Sequence, residues 1–265
     1  MTGLETARRI ERVNAHALLQ HVDVCQRLFP DTGAEALRVA GGVASFVGAD
    51  VVVSYAVGLG FDGQVTADDV GKIAEFYRSR GAVPRIDVCP LADPSLFEAL
   101  RAHHFQLHGF ISILARPLSG SDDIPAPSAD IVIREVGPEE ANLWVSTVDA
   151  GFADGAPITE PRRRLALLLF HCAGSRSFLA EMDCRPVGAS SLFIRDGYLA
   201  LSAGSVLPEY RHRGIHTALI RHRLLAGREL GCDLAGYFCL PGSVSQRNAE
   251  RHGFKLCYSK ATVKV

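Results

Sequence analysis

The chain has 265 residues, 48% of them hydrophobic and 22% charged, and its formal net charge is −1. This composition is typical of a globular protein rather than a disordered one, and the length fits one large or two ordinary domains. A nearly neutral charge and a single tryptophan provide neither a basic groove nor an aromatic platform, so we expect no nucleic-acid partner. The charged start MTGLETARRIERV and the absence of a long apolar run predict neither a signal peptide nor a membrane partner. The seven cysteines include no Cys-x-x-Cys pair, which favours a reducing cytoplasm and disfavours a disulfide framework or structural zinc.

The N-terminal half contains a strand–helix pattern that begins at residue 51. VVVSYAVGLGF (51–61) predicts a strand, and TADDVGKIAEFYRSRG (66–81) predicts a helix. RIDVCP (85–90) then predicts a buried strand, followed by a capped helix and a closing strand. His103, His104 and His108 lie near the end of that helix, but they have no suitably spaced carboxylate or cysteine, so we expect no metal site.

A polar segment divides the chain. LSGSDDIPAPSAD (118–130) combines serine, glycine, aspartate and proline, which resist packing and favour extended or turn backbone. We therefore expect one domain over residues 1–118, a linker over 119–130 and a second domain over 131–265.

The C-terminal half alternates strands and helices. Its patterns predict a strand, two helices, three strands, a helix, a strand, a helix and closing strands. The corresponding segments are 130–136, 137–152, 159–174, 177–182, 186–195, 197–207, 214–230, 234–240, 243–253 and 254–265. This order predicts an α/β fold with a mixed sheet (α+β). In it, a long helix begins where the strand over 197–207 ends.

The segment EYRHRGIHTALI (209–220) places two arginines and a histidine at the start of that long helix. A helix start already carries partial positive charge from unpaired backbone N–H groups, so cations are disfavoured there unless an anion is present. The junction of a strand's carboxyl end and a helix's amino end is a ready-made anion site. The pattern therefore predicts a bound anion; a solvated turn is the plainer alternative.

This segment resembles the pyrophosphate loop of the GNAT N-acetyltransferase superfamily, whose pattern is Arg or Gln, two residues, Gly, one residue, then Gly or Ala. Arg211 and Gly214 match the pattern, whereas His216 departs from it. SVSQRNAERHGF is similar to the family's last helix, which ends in Gly-Phe, here Gly253 and Phe254. Together with the order of elements, the resemblance covers roughly residues 130–265.

The resemblance implies that the protein transfers an acetyl group from acetyl-coenzyme A to an amine, and that no metal takes part. We expect the acceptor to be a primary amine of a small molecule. The backbone at Ser205 and Val206 would pair with the pantetheine arm, while backbone N–H groups and cationic side chains would hold the pyrophosphate. The complete set of expected coenzyme-binding residues is Ser205, Val206, Arg211, His212, Arg213, Gly214, Ile215, His216 and Thr217. We expect the imidazole of His216 to turn outward and the phosphate to raise its pKa.

No catalytic residue can be named from the sequence. In the family pattern a tyrosine lies four residues before the glycine of Gly-Phe, and Ala249 occupies that position here. The proton must then move through water, through Tyr237, Glu181 or His252, or through a group of the other domain. Tyr237 also fits a core aromatic residue, and Glu181 an exposed hairpin rim.

The two halves share a plan. Residues 85–118 and 233–265 each contain a buried strand with a Cys-Pro-Leu or Cys-Leu-Pro run, a capped helix, His-Phe or Gly-Phe, and a strand. The N-terminal half therefore resembles a second GNAT-type domain, which gives a tandem arrangement. Its equivalent junction, DGQVTADDV, carries three acidic residues and no Arg-x-x-Gly, so we expect it to bind no coenzyme A. Its role is then structural, including a possible homodimer, or it walls the acceptor cleft.

Two functions fit these observations. The first is an acetyl-coenzyme A-dependent N-acetyltransferase. The second is a non-catalytic module that binds coenzyme A or acyl-coenzyme A as a sensor or assembly component. The alanine at position 249 and the histidine at position 216 favour the second.

Overall fold

The computed structural model of the chain describes residues 3–119, 124–125 and 130–265. Most of the expected linker, 119–130, lies outside these residues. The chain divides into two compact units, of which the first comprises Met1–Ile113, Cys239–Ser243 and Leu256–Val265, and the second Leu114–Phe238 and Val244–Lys255. The closing residues of the sequence thus belong to the first unit. The domain bounds that we expected remain a prediction.

The first unit combines a long N-terminal helix with a mixed sheet. The elements are α1 (Leu4–Leu28), β1 (Glu35–Val39), β2 (Gly42–Phe46), β3 (Ala56–Val57), α2 (Ala67–Arg78), β4 (Arg85–Val88), α3 (Ser95–Ala102), β5 (Gln106–Pro117) and β11 (Lys255–Lys264). The antiparallel pairs are β1 with β2, β2 with β3, and β4 with β11, whereas β3 and β4 run parallel. β5 continues across the division between the units. The elements before residue 51 have no counterpart among the predicted ones.

A buried ion pair lies in the core of the first unit. Lys260 on β11 contacts Glu11 on α1 at 2.9 Å, and Tyr258 donates a 2.7 Å hydrogen bond to the same carboxylate oxygen. Glu11 and Lys260 are each only 1% exposed. The last strand of the sequence is therefore tied to the first helix by charge as well as by hydrophobic packing.

The second unit has the element order that the sequence predicts. Its elements are β6 (Val132–Glu135), α4 (Ala141–Ala153), α5 (Glu160–His171), β7 (Ser175–Met182), β8 (Arg185–Arg195), β9 (Tyr198–Val206), α6 (Ile215–Glu229), β10 (Leu234–Cys239) and α7 (Val244–Arg251). The antiparallel pairs are β6–β7, β7–β8 and β8–β9, and β10 pairs with β9 in parallel. The expected α/β fold with a mixed sheet is confirmed. The segment 254–265, for which strands in the plural were expected, forms the single strand β11.

Helices cover both faces of the β6–β10 sheet because its strands alternate two sets of buried residues. Leu179 and Ala189 pack with Trp144 and Val148 of α4, together with residues of α5. The neighbouring Ala180 packs on the opposite face with α6. This arrangement fixes the end of β9 between the C-terminal end of α4 and the start of α6.

None of the described residues forms a helix that is long and apolar enough to cross a membrane. None of the seven cysteines is joined in a disulfide among the described residues.

Candidate active site

The parallel pairing of β9 and β10 stops before β9 ends. Its last aligned residues are Leu201 and Tyr237, yet β9 continues to Val206. The backbone is irregular there: Ala203 has a φ of 48°, and the pairing with β8 shifts register between Ala189 and Ser191. Such a bulge bends a strand and ends its pairing. The result is a gap beside the final residues of β9.

The helix that follows begins with open backbone donors. Gly214 takes the N-cap position of α6 with a φ of 82°, a left-handed conformation that favours glycine, and no side chain caps the helix. The first N–H groups of a helix have no partner within it, and the helix dipole adds partial positive charge. The sequence expectation of an anion site has this geometric basis.

A cleft of about 610 Å³ opens at this junction. It is lined by Gly151, Phe152, Gly204, Ser205, Val206, Tyr210, Arg211, His212, Gly214, Ile215, His216, Thr217, Val244, Ser245, Arg247, Asn248 and Arg251. The structure thus brings the expected coenzyme-binding residues together on one wall, with the exception of Arg213. Their contact with coenzyme remains a prediction.

The two arginines of the loop have different surroundings. Arg211 donates from Nη2 to the Gly151 carbonyl (3.0 Å) and contacts Asp154 through Nη1 at 2.7 Å. It therefore ties the loop to the end of α4. Arg213 is exposed, and its guanidinium lies 5.3 Å from the centroid of the Tyr210 ring. Arg213 is the more available of the two for an incoming phosphate.

The orientation of His216 differs from the expectation. The ring is half-buried, and its Nδ1 accepts from the side-chain amide nitrogen of Asn248 at 3.4 Å. Burial, with smaller effects of Arg223 and His252, lowers the pKa of His216 to about 4. The ring packs toward α7 instead of turning outward, and the raised pKa expected beside a bound phosphate stays a prediction.

The second wall of the cleft comes from α4 and α7, which sequence reasoning did not assign to the site. At Gly151 a side chain would meet Ser205 Oγ at 2.5 Å, so only glycine lets α4 approach β9 so closely. Arg247 and Arg251 of α7 add positive charge opposite the loop. The glycine inside the helical pattern of 137–152 was a possible signal for the close approach.

The candidate proton donors are placed as follows. Ala249 is fully buried. Glu181 is bound to Arg134, with 2.9 Å between Oε1 and Nε. His252 lies outside the cleft lining, and its Nδ1 contacts the Asn248 carbonyl at 2.7 Å. Tyr237 shares a 2.9 Å hydrogen bond with Ser245, which does line the cleft.

In the first unit, the helix start expected to correspond to that of α6 is closed by its own side chains. Thr66 caps α2 by accepting from the backbone N–H of Asp69 (3.2 Å), and Asp69 accepts from the backbone N–H of Thr66 (3.0 Å). Hydrogen bonds from Thr66 lower the pKa of Asp69, which favours its charged form. A capped, anionic helix start is unsuited to a pyrophosphate.

Comparison with known proteins identifies the family of the second unit. Residues 147–254, which include the end of α4, the uncapped start of α6 and all of α7, match the family model described as "Acetyltransferase (GNAT) family". This part of the chain is a GNAT domain. The expected family is thus confirmed. A comparison of the sequence with curated proteins gives no match.

Solved GNAT structures share the fold over most of the chain. A GCN5-related N-acetyltransferase from Kribbella flavida is similar with a TM-score of 0.67 and 16% identity, over 97% of this chain and 95% of that one. Another, from Sphaerobacter thermophilus, gives a TM-score of 0.59 at 15% identity, over 88% and 75%. A tandem GNAT protein from the clavulanic acid biosynthesis pathway gives 0.55 at 15% identity, over 75% and 67%. At these identities the likeness establishes the fold alone.

Proposed function

We propose that the protein is an N-acetyltransferase that moves an acetyl group from acetyl-coenzyme A to a primary amine of a small molecule. The observation that carries this proposal is the uncapped start of α6 at the wall of the cleft beside the end of β9. It combines an anion site with the part of β9 beyond its pairing with β10, where an amide-bearing ligand would lie.

The coenzyme would be held largely by backbone. N–H groups between His212 and Thr217 would face the pyrophosphate, where the helix dipole adds to their effect. The exposed Arg213 of the loop, together with Arg247 and Arg251 of the cleft lining, supplies positive charge. The backbone of β9 at Ser205 and Val206, beyond the pairing with β10, would pair with the amides of the pantetheine arm.

The chemistry needs three further contributions. The acceptor amine must be neutral to attack, the tetrahedral oxyanion must be stabilised, and the departing thiolate must gain a proton. Backbone N–H near Val206 would serve the oxyanion. The proposal places the reaction in the cytoplasm and involves no metal. It gives residues 1–118 a structural role, with a homodimer interface as one form of that role.

A specific observation favours a second function. Ala249 is fully buried at the position where the family pattern has a tyrosine. A chain without a proton donor there would bind coenzyme A or acyl-coenzyme A without turning it over. This alternative is a sensor or assembly module.

Two measurements separate the functions. Calorimetry of acetyl-coenzyme A binding tests the cleft, and thiol release with a panel of primary amines tests transfer. Thiol release that depends on the amine supports the enzyme, whereas tight binding without release supports the module.

A matched pair of charge reversals tests the location of the site. Arg213→Glu should weaken binding, and Arg195→Glu, in the β8–β9 hairpin away from the cleft, should not. Equal affinity in both variants and the wild type would place the coenzyme elsewhere.

A further inference from the structure

The position of the absent tyrosine, 249, follows the turn of α7 that contains Ser245. Side chains on a helix tilt toward its N-terminus, so a residue covers the turn before its own Cα. A tyrosine at 249 would therefore extend over the turn that contains Ser245, four residues earlier on the same face. Ser245 lines the cleft in this structure.

A second hydroxyl reaches the same place from β10. The oxygen atoms of Tyr237 and Ser245 are 2.9 Å apart. Tyr237 is the last residue of β10 that pairs with β9, and it is 7% exposed. The phenol thus lies at the point where the two strands part, behind a serine that faces the cleft.

Arg223, a buried cation, interacts electrostatically with Tyr237. Arg223 of α6 is 1% exposed, and its Nη1 donates to the carbonyls of Ser191 (3.0 Å) and Ser202 (2.9 Å). Its Nη2 has no hydrogen-bond partner among the described residues. Burial lowers the pKa of Arg223 to about 10, while the charge of an ionised Tyr237 would raise it. Arg223 is therefore charged near neutral pH.

We propose that Ser245 and Tyr237 form a proton relay that replaces the missing tyrosine, with Ser245 as the donor to the departing coenzyme A thiolate. This inference rests on the proposed acetyltransferase function.

The relay transfers one proton to the departing sulfur. The amine nitrogen bonds to the acetyl carbon, and collapse of the tetrahedral intermediate breaks the carbon–sulfur bond with its electron pair leaving on sulfur. Sulfur takes the hydroxyl proton of Ser245, and Ser245 takes the phenol proton of Tyr237. The nitrogen gives its extra proton to solvent, and the phenolate regains one from solvent after product release. The products are the N-acetylated amine and coenzyme A.

The alternative is that Tyr237 has only a structural role. Its ring packs against Phe254 with centroids 5.7 Å apart, as a core aromatic does. Packing alone explains the ring, but it gives no reason for a hydroxyl directed at a side chain of the cleft.

The test compares acetyl transfer by the full chain and its variants Ser245→Ala, Ser245→Thr and Tyr237→Phe. The alanine and phenylalanine variants should lower kcat about 100-fold, the lower range for loss of a general acid, with KM for acetyl-coenzyme A nearly unchanged. Ser245→Thr keeps the hydroxyl and should stay close to the wild-type rate. Tyr77→Phe is the matched control, because Tyr77 donates to the Ser45 carbonyl (3.1 Å) in the first unit and should leave kcat unchanged.

The solvent isotope effect adds a readout that a structural role would not move. The wild-type rate should fall in D₂O, and this dependence should be lost in Tyr237→Phe. If the wild type transfers acetyl normally and either hydroxyl can be removed without loss of kcat, the relay is overturned while the proposed function stands. A rise in KM without loss of kcat also overturns it. If the wild type releases no thiol with any amine, the proposed function fails and the relay with it.

Discussion

Replacing His216 with alanine should leave the pH dependence of coenzyme affinity unchanged between pH 6 and 8. The sequence predicts the opposite trend, since a bound pyrophosphate favours a protonated imidazole and would strengthen binding as pH falls. The structure removes this effect by burying the ring, which lowers the pKa of His216 to about 4. Only about one per cent of the side chain is then protonated at pH 6.

The size of the effect follows from linkage. If the phosphate raised the pKa by one unit, about 1.36 kcal/mol of interaction, a histidine with an ordinary pKa of about 6.5 would strengthen binding about sixfold from pH 8 to pH 6. With a pKa of about 4 in the free protein, the same coupling changes affinity by only about a tenth. The two cases are well separated experimentally.

The assay is calorimetric titration of wild type and His216→Ala with coenzyme A at pH 6, 7 and 8. The ratio of the two Kd values at each pH cancels the titration of groups common to both proteins, including the coenzyme's phosphates. A constant ratio is expected. A ratio that changes about fourfold or more across this range would refute the reasoning from burial. Tighter binding by the variant at every pH would instead show that the ring occupies space the coenzyme needs.

Three further substitutions test the surrounding structure. Lys260→Met leaves the buried carboxylate of Glu11 uncompensated and should cost about 3–5 kcal/mol in urea unfolding, whereas Lys72→Met, which removes an exposed pair, should cost less than about 1 kcal/mol. Arg213→Glu should weaken coenzyme binding while changing the free energy of unfolding by less than about 0.5 kcal/mol, since the side chain is exposed. Burial raises the pKa of Asp149, so the free energy of unfolding falls as pH rises through that pKa and the buried carboxyl ionises. Asp149→Asn should therefore stabilise the protein at pH 7 and not near pH 3, as measured by urea unfolding at both pH values.

The local signals of the sequence were sufficient for the second unit. The helix α6 follows from a glycine at its start and an apolar face that repeats every three to four residues, and Ile215, Ala218 and Leu219 are buried as this predicts. The turn expected between β7 and β8 follows from Asp183 and Cys184, both of which have positive φ. These features depend on residues close together in the chain, so one sequence is enough to find them.

Features that depend on distant residues could not be predicted. Glu11 is buried on α1 because its cation, Lys260, comes from the other end of the sequence. Arg223 would be placed on a solvated face by its charge, yet it binds carbonyls of β8 and β9 where their register shifts. The guanidinium of Arg211 is similarly bound by Asp154, 57 residues earlier. A local pattern contains no record of these partners.

We expect the first unit not to bind coenzyme A. Two separate features oppose binding there: the capping box of Thr66 and Asp69 occupies the helix start, and the backbone N–H of Asp93 bridges to the Gly60 carbonyl at 2.8 Å beyond the parallel pair of β3 and β4. Nearby, Arg8 donates to the Phe61 carbonyl (3.2 Å). Because either feature alone would exclude a pyrophosphate or its pantetheine arm, we expect calorimetry to find one coenzyme A per chain. Removing the acidic cap alone, as in Asp69→Ala, should not create a second site, and a stoichiometry of two in either protein would contradict this account.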